Sequence, residues 1–225
     1  MQIGSYKCEL FSGSLKNISK ISYLIYPEIL PLQVEWLEKM TNISNGAVAV
    51  VYVPAAMWNN SLTPWPEPGE TKTAPPFGGD APEFLNQLIN DIVPAIEAQM
   101  SASSLVKRDI IGVSLAGLFT LWQWLQNNTF DSIGCLSGSF WYIGFIEWFE
   151  KTTIPKKAGK AFFLLGDKEP QSHIKAFRSV GENTQKIVDR LKEKDVDVDF
   201  CWVEGNHFAD PLGRAELAFS KLRFS

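Results

Sequence analysis

The sequence predicts an α/β protein with a mainly parallel central sheet and helices on both faces. Three observations predict it. From Asp109 onward, short apolar runs alternate with segments of helical spacing. The run "GAVAVVYVP" (46–54) is continuous, apolar and valine-rich, as a strand covered on both faces is. The N-terminal third reads as partly alternating strands, which suits a sheet whose opening strands are partly antiparallel.

The elements follow in order. "YKCELFSGSL" (6–15) and "SKISYLIYPEI" (19–29) are the opening strands, the second closed by Tyr26-Pro27 with Pro31 soon after. "LQVEWLEKM" (32–40) is a short helix, and 46–54 the strand that follows. A Pro- and Gly-rich loop then holds Trp58 and Trp65; its length marks it as functional, and its tryptophans argue against disorder. "APEFLNQLINDIVPAIEAQM" (81–100) has apolar residues at Phe84, Leu85, Leu88, Ile89, Ile92 and Val93, a helical spacing, with Asp80 as N-cap and Pro82 in the first turn. Strands at 109–114, 130–138, 160–167 and 198–205 then alternate with helices at 115–126, 141–151, 174–195 and 214–224. One domain over residues 1–225 is expected, since a chain of 225 residues, 45% apolar, can enclose one sizeable core.

Composition narrows the function. The net charge of −4 and the lack of a basic patch speak against nucleic acid or an anionic membrane as partner. No apolar run approaches the roughly 20 residues of a membrane span. The N-terminus has neither a basic start nor an apolar core, so no signal peptide is expected; the sequon at Asn17 carries little meaning without one. Three cysteines, Cys8, Cys135 and Cys201, form no pairing motif and suit a reducing, cytoplasmic setting. There is no phosphate-binding glycine loop and no cluster of metal-ligand spacing, so neither a cofactor nor a metal is expected.

In a parallel sheet, function gathers at the carboxyl ends of the strands. Those ends carry the tryptophan loop, Ser114, the stretch 137–142, the carboxylates Asp167 and Glu169, and His207. Ser114 stands in Gly112-Val113-Ser114-Leu115-Ala116-Gly117, between an apolar strand and a helix. Small residues on both sides let strand and helix approach closely, as a serine nucleophile mounted on a sharp turn requires. A serine hydroxyl needs a base, and an imidazole serves when a third group fixes its tautomer. Of two histidines, His207 follows the last strand and fits the base; His173 lies among polar residues and reads as solvated. The acid is Asp167 or Glu169; Glu169 is favoured because the farther carboxylate can reach back over the turn. Asp109 and Asp131 begin strands, at the wrong end of the sheet for chemistry, and Glu204 reads as a structural or surface residue. The Leu115 amide would donate to an oxyanion. A second donor is expected after residue 54, at Ala56 or its neighbours Ala55 and Met57. Trp58, Trp65, Trp141 and Tyr142 are candidates for the wall of an apolar substrate pocket.

At these residues the chain resembles the α/β-hydrolase fold, and more narrowly the esterase family that includes esterase D, enterochelin esterase-like and feruloyl esterase enzymes. The resemblance runs from "YLIYPEI" onward and rests on "GVSLAG", "SGSFWY", "LLGDKEP" and "EGNHF". "WNNSLTPWP" and "FGGDAPEFL" resemble stretches of small bacterial members. It implies Ser114 as nucleophile, His207 as base, and an acid three residues after the strand-end glycine, which is Glu169. It also implies a small-molecule ester as substrate; the short chain departs from full enterochelin esterases, and no large cap domain is expected. An acyltransferase or thioesterase would use the same triad, and a non-catalytic binding protein on this fold is the remaining alternative.

Overall fold

A computed structural model describes residues 1–13, 18–30, 32–100, 102 and 105–223. Asn17 of the sequon, Pro31, the tail of the strand expected over 6–15 and the last residue of the helix expected to 224 lie outside them.

The sheet has eight strands: β1 (Gln2–Ile3), β2 (Tyr6–Phe11), β3 (Lys20–Pro27), β4 (Ala47–Val53), β5 (Lys107–Val113), β6 (Ser132–Leu136), β7 (Lys160–Gly166) and β8 (Asp197–Val203). Their spatial order is β1-β2-β4-β3-β5-β6-β7-β8. β2 pairs antiparallel with β1 and β4, and from β4 onward every pairing is parallel. This is the α/β-hydrolase arrangement. The helices are α1 (Val34–Ser44), α2 (Trp58–Ser61), α3 (Ala81–Gln87), α4 (Val93–Met100), α5 (Leu115–Gln126), α6 (Phe145–Lys151), α7 (Val180–Lys192) and α8 (Pro211–Lys221).

Strand periodicity divides the core in two. Tyr23, Ile25, Ala49 and Val51 face α3 to α7, while Leu24, Tyr26, Val48 and Val50 face α1 and α8. Both faces of the central strands are thus apolar, which is why 46–54 is a continuous run. The central α5 is buried on all sides except at Gln126, and its sequence carries no charged residue.

Several boundaries differ from the sequence expectation, each for a local reason. The helix of 81–100 is broken by a π-helical turn at Leu88–Ile92, where the Val93 amide reaches back to the Leu88 carbonyl. Pro94 has no amide to donate and its ring crowds the preceding turn, and the wider turn makes room for it. Asp80 sits at the N-cap of α3 with non-extended backbone and makes no side-chain capping bond, so it does not act as the expected cap; Pro82 does occupy the first turn. The helix expected from Trp141 begins only at Phe145, because Gly144 at φ 75° breaks the path before it. Residues Lys175–Ser179 form a 3-10 turn ahead of α7.

At the amino edge of the sheet, Lys20 Nζ lies 2.9 Å from Asp109 Oδ2, with both side chains buried. The same ammonium donates to the Leu222 carbonyl, and Ser22 Oγ donates to Asp109 at 3.3 Å. Asp109 is thereby a structural anion, at the edge away from Ser114.

Candidate active site

Ser114 joins β5 to α5 with φ 60° and ψ −123°, a conformation L-residues rarely adopt. Its neighbours explain how the turn is held. A Cβ on Gly112 would stand 2.2 Å from the Ala116 carbonyl oxygen, so only glycine lets strand and helix close on each other. A Cβ on Gly117 would reach the Gly138 Cα at 3.0 Å. The backbone of Ser114 is pinned to the exit of β6: its amide donates to the Leu136 carbonyl at 3.0 Å, and its carbonyl accepts from the Ser139 amide at 3.1 Å. The strain at Ser114 persists because these bonds fix it from both sides.

His207 lies in the loop after β8. Its Nε2 is 3.1 Å from Ser114 Oγ and its Nδ1 is 2.8 Å from Glu169 Oε2. A carboxylate accepts, so Nδ1 carries the hydrogen and Nε2 is left to accept from the serine. Glu169 opens a 3-10 turn (Glu169–Gln171) after β7 and is buried. Its second oxygen, Oε1, accepts from Ser137 Oγ at 2.7 Å, the Gly166 amide at 2.8 Å and Arg214 Nη1 at 3.0 Å. Burial pushes the Glu169 carboxyl up, but the hydrogen bonds from His207 and Ser137, the His207 charge and the Gly166 amide outweigh it. The group ends below the usual carboxylate range.

Asp167, the competing carboxylate, is exposed and accepts from the Gly205 amide at 2.8 Å. It ties the exit of β7 to the loop after β8, and it is Glu169 that meets the imidazole. His173 is exposed. Leu115 heads α5, so its amide has no partner within the helix. The Met57 amide donates to the Pro54 carbonyl at 2.9 Å, which removes Met57 from the oxyanion candidates; Ala55 and Ala56 are exposed.

The four aromatic candidates divide. Tyr142 is 2% exposed, packs edge-on against Phe77 and gives its hydroxyl to the Trp65 carbonyl. Its ring is thereby held between the loops after β4 and β6. Trp65 stacks on Phe145 and donates its indole N–H to the Ile143 carbonyl at 3.0 Å. Trp141 lies 4.3 Å, centroid to centroid, from Phe177, and 6.1 Å from Phe77. These rings tie together the loops after β4, β6 and β7, which is what orders the Pro- and Gly-rich segment. Trp58 is half-buried at the start of α2. Phe208, beside the base, is 84% exposed and stands edge-on to the His207 ring.

Sequence reasoning missed Arg214. It lies in the first turns of α8, where an arginine in an amphipathic pattern reads as solvated, yet it is buried against Glu169 and Ser137. Its Nη2 also holds the Asn206 carbonyl, next to His207, at 2.8 Å. The roles of Ser137 and Ser139 were equally hidden inside "SGSFWY".

Fold and site together define a protein of the α/β-hydrolase class. A model of the family described as "Putative esterase" matches residues 34–199, and the chain belongs to that family. It is 28% identical over 137 residues to the "Uncharacterized protein YbbA" of Bacillus subtilis (strain 168). That match takes in 60% of this chain and 55% of the relative, so it spans little more than half the relative's length. Two solved structures share the fold. The siderophore hydrolase EstB from Aspergillus nidulans superposes with a TM-score of 0.72 at 17% identity, over 96% of this chain and 89% of that one. The enterobactin esterase FES from Shigella flexneri gives 0.72 at 12% identity, over 96% and 55%. No helix among the described residues is long and apolar enough to cross a membrane.

Proposed function

We propose that the protein hydrolyses a carboxylic ester of a small molecule through an acyl-enzyme on Ser114. The observation that carries this reading is the unbroken hydrogen-bonded series Ser114 Oγ, His207 Nε2, His207 Nδ1, Glu169 Oε2, at 3.1 and 2.8 Å. Ser114 Oγ attacks the ester carbonyl while its proton passes to His207 Nε2. Glu169 steadies the resulting imidazolium. The Leu115 amide, at the positive end of α5, and the Ala56 amide receive the carbonyl oxygen as it gains charge. His207 then hands the proton to the leaving alcohol. Water, activated by the same imidazole, attacks the acyl group and frees Ser114.

Trp58, Trp65 and Trp141 flank the carboxyl edge and favour a substrate with an apolar or aromatic part. The similar folds of a siderophore hydrolase and an enterobactin esterase place siderophore esters on the substrate panel. The three free cysteines support a cytoplasmic setting. The test is hydrolysis of a short-chain aryl ester by wild type and Ser114→Ala. Wild type is expected to turn over and the variant to lose nearly all activity; equal rates overturn the proposal.

A further inference from the structure

The loop leaving β6 carries two serines with different partners. Ser137 donates to the acid, Glu169. Ser139 is 1% exposed, and its Oγ lies 3.3 Å from Ser114 Oγ. A buried hydroxyl must be satisfied, and backbone carbonyls usually serve. Here the partner is the reactive oxygen itself.

The direction of this hydrogen bond follows from counting protons, and it rests on the esterase reading above. Glu169 accepts from Nδ1, so Nε2 of the neutral ring can only accept. Ser114 therefore gives its one hydrogen to Nε2. What remains on Ser114 Oγ is lone pairs, so Ser139 is the donor of the pair. Its position is fixed independently of the side chain: the Ser139 amide donates to the Ser114 carbonyl, and the Cβ that Gly117 lacks would reach Gly138 beside it.

We propose that Ser139 is a further catalytic residue, whose hydroxyl donates to Ser114 Oγ and stabilises the charge that this oxygen carries as its ester bond forms and breaks. In acylation the Oγ–H proton leaves to His207 Nε2, the Oγ–carbon bond forms, and the carbonyl electron pair moves to the oxyanion. In deacylation the carbon–Oγ bond breaks, the pair returns to Oγ, and His207 returns a proton. Ser139 keeps its own proton throughout and supplies a dipole at both moments. The separation of 3.3 Å is long for two hydroxyls, as catalytic contacts are before charge develops.

The experiment compares wild type, Ser139→Ala and Ser139→Cys on a short-chain aryl ester, with thermal unfolding and the rate of fluorophosphonate labelling measured beside kcat and KM. Alanine keeps the backbone bond to Ser114 and removes only the donor; cysteine keeps the shape and leaves a weak donor. The expected result is a fall in kcat of about ten- to hundred-fold in both variants. KM should stay within about two-fold and labelling should slow in parallel, at a thermal midpoint close to wild type. Wild-type kcat in either folded variant overturns the proposal. So does a rise in KM at unchanged kcat, which would make Ser139 part of the substrate wall. Should Ser139→Ala not fold, Ser139→Cys decides alone. A wild type that neither hydrolyses the ester nor takes the label removes the esterase reading instead.

Discussion

Arg214 Nη1 lies 3.0 Å from Glu169 Oε1, with the two side chains 5% and 4% exposed. The same guanidinium reaches Ser137 Oγ and the Asn206 carbonyl, so one planar cation fixes the acid and the loop that carries His207. Replacing Arg214 by methionine leaves a buried carboxylate with one partner fewer and frees the loop. We expect a stability loss of about 3 kcal/mol and a fall in kcat/KM, read by urea unfolding and by ester hydrolysis. Arg214→Lys restores the charge without the fork and should recover only part of either.

The two carboxylates after β7 should separate cleanly. Glu169→Ala removes the partner of Nδ1, and kcat/KM is expected to fall by about a hundred-fold or more. Asp167→Ala loses a bond to the Gly205 amide at an exposed site. Its kcat/KM should stay within about three-fold of wild type. Steady-state kinetics on one aryl ester checks both, and the reverse ranking would overturn the assignment of the acid.

Glu169 also sets an acid limb of stability. Its carboxyl is held below the usual range in the folded state, while in the unfolded chain it titrates near about 4.3. As pH falls, the unfolded chain takes up the proton first. The contribution is therefore full above about 4.3 and is lost as pH falls through the folded value. Glu169→Gln should flatten the decline of unfolding free energy as pH falls below about 4.3, measured by urea titration at each pH.

The buried pair at the opposite edge gives a contrasting outcome. Lys20→Met removes the ammonium beside the buried Asp109 carboxylate, which keeps the hydrogen bond from Ser22. A loss of about 3–5 kcal/mol is expected. Because this edge holds none of the hydrolytic groups, the activity per folded molecule should be unchanged, measured at a temperature where the variant is still folded.

Much of this arrangement was legible in the sequence. The alternation after Asp109, the apolar run of β4 and the strand-end positions of Ser114, Glu169 and His207 all follow from periodicity and order. What escaped depended on long-range contacts. Gly144 delays the start of a helix through a positive φ that composition does not reveal. Pro94 widens a turn instead of ending the helix. The contacts of Tyr142 with Trp65 and Phe77 join residues far apart in the chain, whose proximity only folding creates. Arg214 looks like a surface cation until α8 lies under the loops after β6 and β7.

The pairing of β7 with β8 places Gly166 opposite Val203. Glu169 and His207 stand a few residues beyond those partners, and they meet at 2.8 Å. A slip of one residue would offset them by about 3.3 Å along the strand, more than a hydrogen bond tolerates. Under the proposed function, turnover of an ester therefore works as a gauge of strand alignment. In a refolding experiment, recovered activity counts only those molecules whose last two strands have settled in the one productive register, while helix content and compactness would count the misaligned ones as well.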